Sequence, residues 1–169
     1  MSMVDIREWT EVEAARLAQI GNSRLIFDNM SDGFPFPYEV EDAKRYINRI
    51  VPQNQIIRAI IWNELIVGNI GIYLMDDIYR ENGRLAYFLG VEYWNKGIMS
   101  SAIRIMCKYA FESKRQLFRI YADPFERNIG SRKVLEKCGF HLDGIMRENV
   151  LKNGERQSSY MYSILRSEV

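Results

Sequence analysis

The chain has 169 residues, of which 47% are hydrophobic and 27% charged, the proportions of a folded domain rather than a disordered segment. Its formal net charge of +1 leaves no basic footprint for nucleic acid, and no run of about 18 apolar residues exists to form a membrane span. Asp5, Arg7 and Glu8 interrupt any apolar leader near Met1, so a cytoplasmic location and one domain over 1–169 are expected.

In chain order, residues 3–9 read as a short strand, and 11–20 and 23–30 carry helical spacing. Residues 31–37 form a loop punctuated by Gly33, Pro35 and Pro37. Residues 39–50 read as a helix with Val40, Ala43, Tyr46, Ile47 and Ile50 on one face. Two β-branched runs, 55–62 and 65–74, flank Asn63-Glu64 as a tight hairpin, and 84–91 continues the meander. Residues 97–111 give the clearest amphipathic helix, followed by a strand at 117–122 and a helix at 128–137 closed by Gly139. Strands at 140–149 and 157–165 join through the Asn153-Gly154 turn signal. This order implies a mixed sheet with helices on both sides.

Chemistry concentrates at Tyr93-Trp94-Asn95-Lys96-Gly97-Ile98-Met99-Ser100-Ser101-Ala102. A strand that turns through glycine into a helix leaves main-chain N–H groups unpaired and convergent, a ready site for phosphate. Asn128-x-x-Ser131 follows at the mouth of the next helix, where Asn is a preferred cap. Cys107 and Cys138 sit in apolar helical patterns and read as buried thiols, with no disulfide framework or metal spacing. His141 is the sole histidine and reads as a surface or packing residue, and Lys108, Lys114, Arg115 and Arg119 read as a solvated face.

With these motifs, Leu135-Glu136-Lys137-Cys138-Gly139-Phe140, Gly144-x-x-Arg147-Glu148 and Asn29-x-x-Asp32-x-Phe34-Pro35-x-Pro37-Tyr38, the chain resembles the GNAT superfamily of acetyl-CoA-dependent N-acetyltransferases. The likeness is to the branch of ribosomal-protein N-terminal and spermidine acetyltransferases. It implies an α/β fold with a mixed, mostly antiparallel sheet of about seven strands, in which a splayed strand pair holds the cofactor. The implied reaction moves acetyl from acetyl-CoA to a primary amine, on a protein N-terminus or a small amino compound, by direct attack in a ternary complex. A different reading is a GNAT fold that binds CoA without turnover. No metal is implied, and exposed sheet edges allow a homodimer.

The resemblance also assigns roles. Phe88, Leu89 and Gly90 would lie against the pantetheine, and Lys96, Gly97, Ile98, Met99, Ser100 and Ser101 would hold the pyrophosphate. Asn128 would cap its helix and bond the pantetheine arm. Ser131 would protonate the departing thiolate as general acid, or else serve as a packing or cofactor contact. Phe34 and Tyr38 would shape the acceptor cleft. Three positions depart from the family pattern. Met99 stands where Gly or Ala is usual, Ser158 where Asp often precedes the final strand's Tyr-Ser pattern (here Tyr162-Ser163), and Arg84 where a Glu commonly acts as base. Arg cannot take that proton, so Asp76, Asp77, Glu81 or a water chain would have to, and Arg84 is expected either to select an anionic acceptor or to pair with Glu81 or another nearby acid.

Overall fold

The computed structural model describes residues 3–50 and 55–169. Seven strands form one sheet in the order β1-β2-β3-β4-β5-β7-β6, with β1 Val4–Arg7, β2 Ile56–Trp62, β3 Leu65–Leu74, β4 Asn82–Leu89, β5 Arg119–Ala122, β6 His141–Lys152 and β7 Glu155–Leu165. Every pairing is antiparallel except β4 with β5, so the mixed, mostly antiparallel sheet expected from the sequence is present.

The β2–β3 hairpin closes through Asn63 and Glu64, both with positive φ (48° and 67°), the twist that a two-residue hairpin needs. Asn153 and Gly154 do the same between β6 and β7 (φ 52° and 77°). Strand alternation divides the sheet into two cores. Ile56, Ile60, Ile70 and Ile72 pack with Ile98, Ile103 and Met106 of helix α4 (Ile98–Ser113) and with Leu135 of helix α5 (Ile129–Lys137). On the opposite face Ile57, Ala59 and Phe88 meet Leu17 and Ile20 of helix α1 (Ala14–Gly21) and Ala43 of helix α3 (Val40–Arg45). Burial of such side chains stabilises by about 1.5–3 kcal/mol each.

Boundaries moved where tertiary pairing overrides local pattern. β4 begins at Asn82, whose carbonyl accepts from Met75 N–H, and stops at Leu89, because Val91–Tyr93 wind into a 3-10 turn closed by Tyr93 N–H on Gly90 O. The expected helix over 23–30 is α-helical only in α2, Arg24–Phe27, and then tightens, with Asn29 N–H on Ile26 O and Met30 N–H on Phe27 O. The expected helix over 39–50 becomes a π turn at Tyr46–Ile50, where Tyr46 reaches Tyr73 and Asn69 on β3. The inward side chain expected of Ile50 lies outside the described residues.

Candidate active site

The site begins where a ladder stops. β4 and β5 pair only at Asn82 with Arg119, Gly83 with Ile120 and Arg84 with Tyr121, after which β4 runs on alone. Which β4 groups are exposed there follows from its register with β3. Asn82 and Gly90 bond β3, so in an alternating antiparallel ladder Arg84, Ala86 and Phe88 also turn their amides and carbonyls toward β3. The pairing of Arg84 with Tyr121 therefore uses the Leu85 amide, and beyond it the Leu85 carbonyl and the main-chain groups of Tyr87 and Leu89 face the gap that β5 has left. The expectation that Phe88 and Gly90 offer main chain to the pantetheine is corrected on this ground. Gly90 N–H is committed to Val67 O at 2.9 Å, and a Cβ on Gly90 would lie 2.7 Å from Ile20 Cγ2. Phe88 contributes its ring to the opposite core instead. Leu89 O accepts from the Trp94 indole at 2.8 Å.

The splay opens into a cleft of about 1280 Å³. Of the fourteen residues singled out above, all but Gly90 and Ser101 line it. At one end, Gly97 sits at φ 75°, in the left-handed region where only glycine is at ease, and a Cβ there would meet nothing within 4 Å. The first helical amide to find a partner is that of Ser101, on Gly97 O at 3.3 Å. The amides of Ile98, Met99 and Ser100 are thus left at the positive end of α4. The hydroxyls of Ser100 and Ser101 fold back onto Gly97 O at 3.0 and 3.2 Å, so these serines offer amides rather than hydroxyls. Lys96 donates to Glu92 O at 2.8 Å and lies over the rings of Trp62 and Tyr93. Met99, the larger residue at a usually small position, turns into the core and is 8% exposed.

Midway along the cleft, Asn128 lines the wall and caps α5 by accepting from Ser131 N–H at 3.2 Å, a bond that does not use its side-chain NH2. Ser131 Oγ lies 2.6 Å from the Tyr87 hydroxyl. Burial pushes the Tyr87 phenol well above its ordinary value, so it stays a neutral hydroxyl. A Ser–Tyr pair of this kind can donate one proton into the gap while each oxygen keeps a partner. Tyr87 was missed in the sequence, where it reads as one more apolar strand residue.

At the far end, Arg84 is held by Asp123, with Nε and one terminal nitrogen both 2.8 Å from Oδ1. Of the two expectations for Arg84, pairing with an acid is the one observed, and the acid is Asp123 at the end of β5. Asp76, Asp77 and Glu81 do not line the cleft, whereas Asp123 does. Phe34 stacks on Tyr38 at 4.5 Å between centroids and meets Phe88 edge-on at 5.3 Å. These rings wall the cleft opposite α4. His141 is exposed and pairs with Glu168 at 3.6 Å, away from the cleft. Among the described residues no group of three or more His, Cys, Asp or Glu is arranged to hold a metal, and no helix is long and apolar enough to cross a membrane.

These features fit acetyl-CoA in three respects: unpaired strand groups for its amides, an amide-lined helix start without a Cβ for its pyrophosphate, and a neutral hydroxyl pair near the point where the two strands part. The comparisons with known proteins agree with this fit. The family described as Acetyltransferase (GNAT) domain matches residues 4–141. The chain is 36% identical over 103 residues to the probable N-acetyltransferase YjcK of Bacillus subtilis, covering 61% of this chain and 56% of that relative. It is 27% identical over 176 residues to the putative ribosomal N-acetyltransferase YdaF of the same organism, covering 98% and 92%. The structure of RimL, a ribosomal L7/L12 alpha-N-protein acetyltransferase in complex with coenzyme A, superposes with a TM-score of 0.85 at 17% identity, over 96% of this chain and 93% of that one.

Proposed function

Because the chain belongs to the GNAT acetyltransferase family, we propose that it transfers acetyl from acetyl-CoA to an α-amine, with the cofactor in the β4–β5 splay. The observation that carries this reading is the stretch of β4 main chain beyond Arg84 that no neighbouring strand pairs on the β5 side. In the bound state the Leu85 carbonyl, both main-chain groups of Tyr87 and the Leu89 amide receive the pantetheine amides as a neighbouring strand would. The amides of Ile98, Met99 and Ser100 receive the pyrophosphate, and Asn128 steadies the arm.

Acetyl-CoA supplies a thioester carbonyl that an amine can attack. Ser131, backed by the Tyr87 hydroxyl at 2.6 Å, donates a proton to the sulfur that leaves. The demand on that acid is modest, since a thiol pKa of about 8.5 already makes a fair leaving group. The amine must enter as the free base. At about pH 7.4, roughly a quarter of α-amines with pKa near 7.7–8.0 are neutral, against about one in a thousand lysine-like amines with pKa near 10.4. A site with Arg84 in place of a glutamate base therefore suits an α-amine, which needs little help to lose its proton. An amine that arrives as ammonium first loses its proton to solvent, and the proton released from the nitrogen on attack returns through solvent to Ser131.

Titration calorimetry with coenzyme A tests the placement. Gly97→Trp fills the open volume at the start of α4, and the expected result is loss of CoA binding with a melting temperature lowered only by the few degrees that a side chain at positive φ costs. Unchanged affinity would remove the pyrophosphate from this turn.

A further inference from the structure

β3 and β4 present one row of side chains beside the gap: Asn69, Gly71 and Tyr73 lie directly across from Phe88, Ala86 and Arg84. Ala86, opposite Gly71, borders a hollow of about 50 Å³ together with Asn69, Tyr46, Tyr73 and Phe88. The polar groups here form a single chain. Trp9 Nε1 donates to Asn69 Oδ1 at 2.8 Å, Asn69 Nδ2 donates to the Tyr46 hydroxyl at 3.0 Å, and the Tyr46 and Tyr73 hydroxyls are 2.7 Å apart.

The direction of that chain follows from chemistry. An indole N–H only donates, so it fixes which end of the Asn69 amide is oxygen. The amide NH2 then donates to Tyr46. Among the described groups around it, Tyr46 has Tyr73 as the acceptor for its own proton. The reverse order would leave the Tyr46 proton unpaired in a desolvated site. Tyr73 thus receives a hydrogen bond from behind and has its own proton left over at the cleft, which it lines. Burial raises both phenols above their ordinary value, so both remain donors. Arg84, directly across the strands from Tyr73, is already occupied by Asp123. What this end of the cleft offers is a neutral hydrogen-bond donor, with no surplus positive charge.

We propose that Tyr73 determines acceptor specificity: its hydroxyl donates to a carbonyl oxygen next to the reacting amine, selecting amino amides and peptide N-termini over plain alkylamines and polyamines. The proposal rests on the acetyl-transfer reading above and replaces the anion preference expected of Arg84. A carbonyl needs one donor, whereas a carboxylate or phosphate would need a free cation.

The test compares kcat/KM for alaninamide and for isopropylamine in the wild type and in Tyr73→Phe. The ratio between the two amines within each protein cancels effects on folding and on CoA binding, and its change between proteins cancels the difference in amine basicity. The expected result is a fall in the alaninamide preference of about tenfold in the variant, carried mainly by the KM for alaninamide. An unchanged ratio would overturn the proposal. If circular dichroism shows that Tyr73→Phe does not fold, a crystal of the wild type with CoA and alaninamide reads the contact itself. The carbonyl oxygen is expected within hydrogen-bond distance of Tyr73 Oη, and a carbonyl turned elsewhere would overturn the assignment. Transfer to neither amine by the wild type would overturn both readings, whereas transfer without the selective loss would overturn this one alone.

Discussion

Gly97 joins two properties that substitution separates. Its φ of 75° taxes any side chain, while its absent Cβ touches nothing of the protein within 4 Å. Gly97→Ala should therefore cost about 1–2 kcal/mol of stability from the backbone alone. It should also weaken CoA binding by about tenfold or more, because the new methyl projects where the ligand approaches. Thermal melts and calorimetry separate the two effects, and an unaltered CoA affinity would argue that the cradle lies elsewhere. Ser131→Ala is expected to lower kcat by roughly 10²-fold with little change in the KM for acetyl-CoA. A rise in that KM alone would make Ser131 a binding residue. Gly97, Asn128 and Ser131 were legible because their chemistry is local, a turn and a cap within a few residues. Asp123 and Tyr87 were not. Arg84 meets Asp123 across 39 positions and Tyr87 meets Ser131 across 44, and no spacing rule links such pairs before the sheet is built.

Elements set the width of the cleft. A Cβ on Gly68 would fall 2.5 Å from the Phe88 carbonyl oxygen, which is backbone and cannot swing aside. Gly68→Ala must therefore displace β4 from β3, and a cost of about 1–3 kcal/mol is expected in chemical unfolding, together with weaker CoA binding from the moved strand. An unchanged affinity would mean that the β4 edge does not hold the ligand. The Arg84–Asp123 pair is half-exposed and spans the last rung before the splay. Arg84→Met is accordingly expected to cost less than about 1 kcal/mol of stability while raising the acceptor KM. Hairpin turns were readable from Asn63-Glu64 and Asn153-Gly154, since turn chemistry is encoded in adjacent residues. The end of the β4–β5 ladder was not: β5 stops at Ala122 as expected, but which β4 residue its last rung meets is set by the register of the whole sheet rather than by local pattern.

At the scale of the molecule, two cores clamp one sheet, and the polar groups that line the acceptor end are buried phenols. Tyr38, Tyr46, Tyr73 and Tyr87 are all held above the ordinary 10.0, chiefly by burial. A raised folded-state value means that the folded protein resists ionisation while the unfolded chain does not. The stabilisation is complete below pH 10 and lost as pH rises beyond it. Melting temperature should decline above about pH 10, with phenolate absorbance from these residues appearing together with unfolding. Phenolate formation well ahead of unfolding would show them to be accessible.

The proposed reaction is acetyl transfer to an α-amine from a cofactor lodged in the β4–β5 splay. Release of free thiol from acetyl-CoA, measured with alaninamide, an alanine-terminated peptide and spermidine, tests it most directly. Turnover is expected with the amide and the peptide, at least about tenfold above spermidine in kcat/KM. Robust turnover of spermidine with none of the α-amines would contradict it, and so would tight acetyl-CoA binding with no thiol released to any amine.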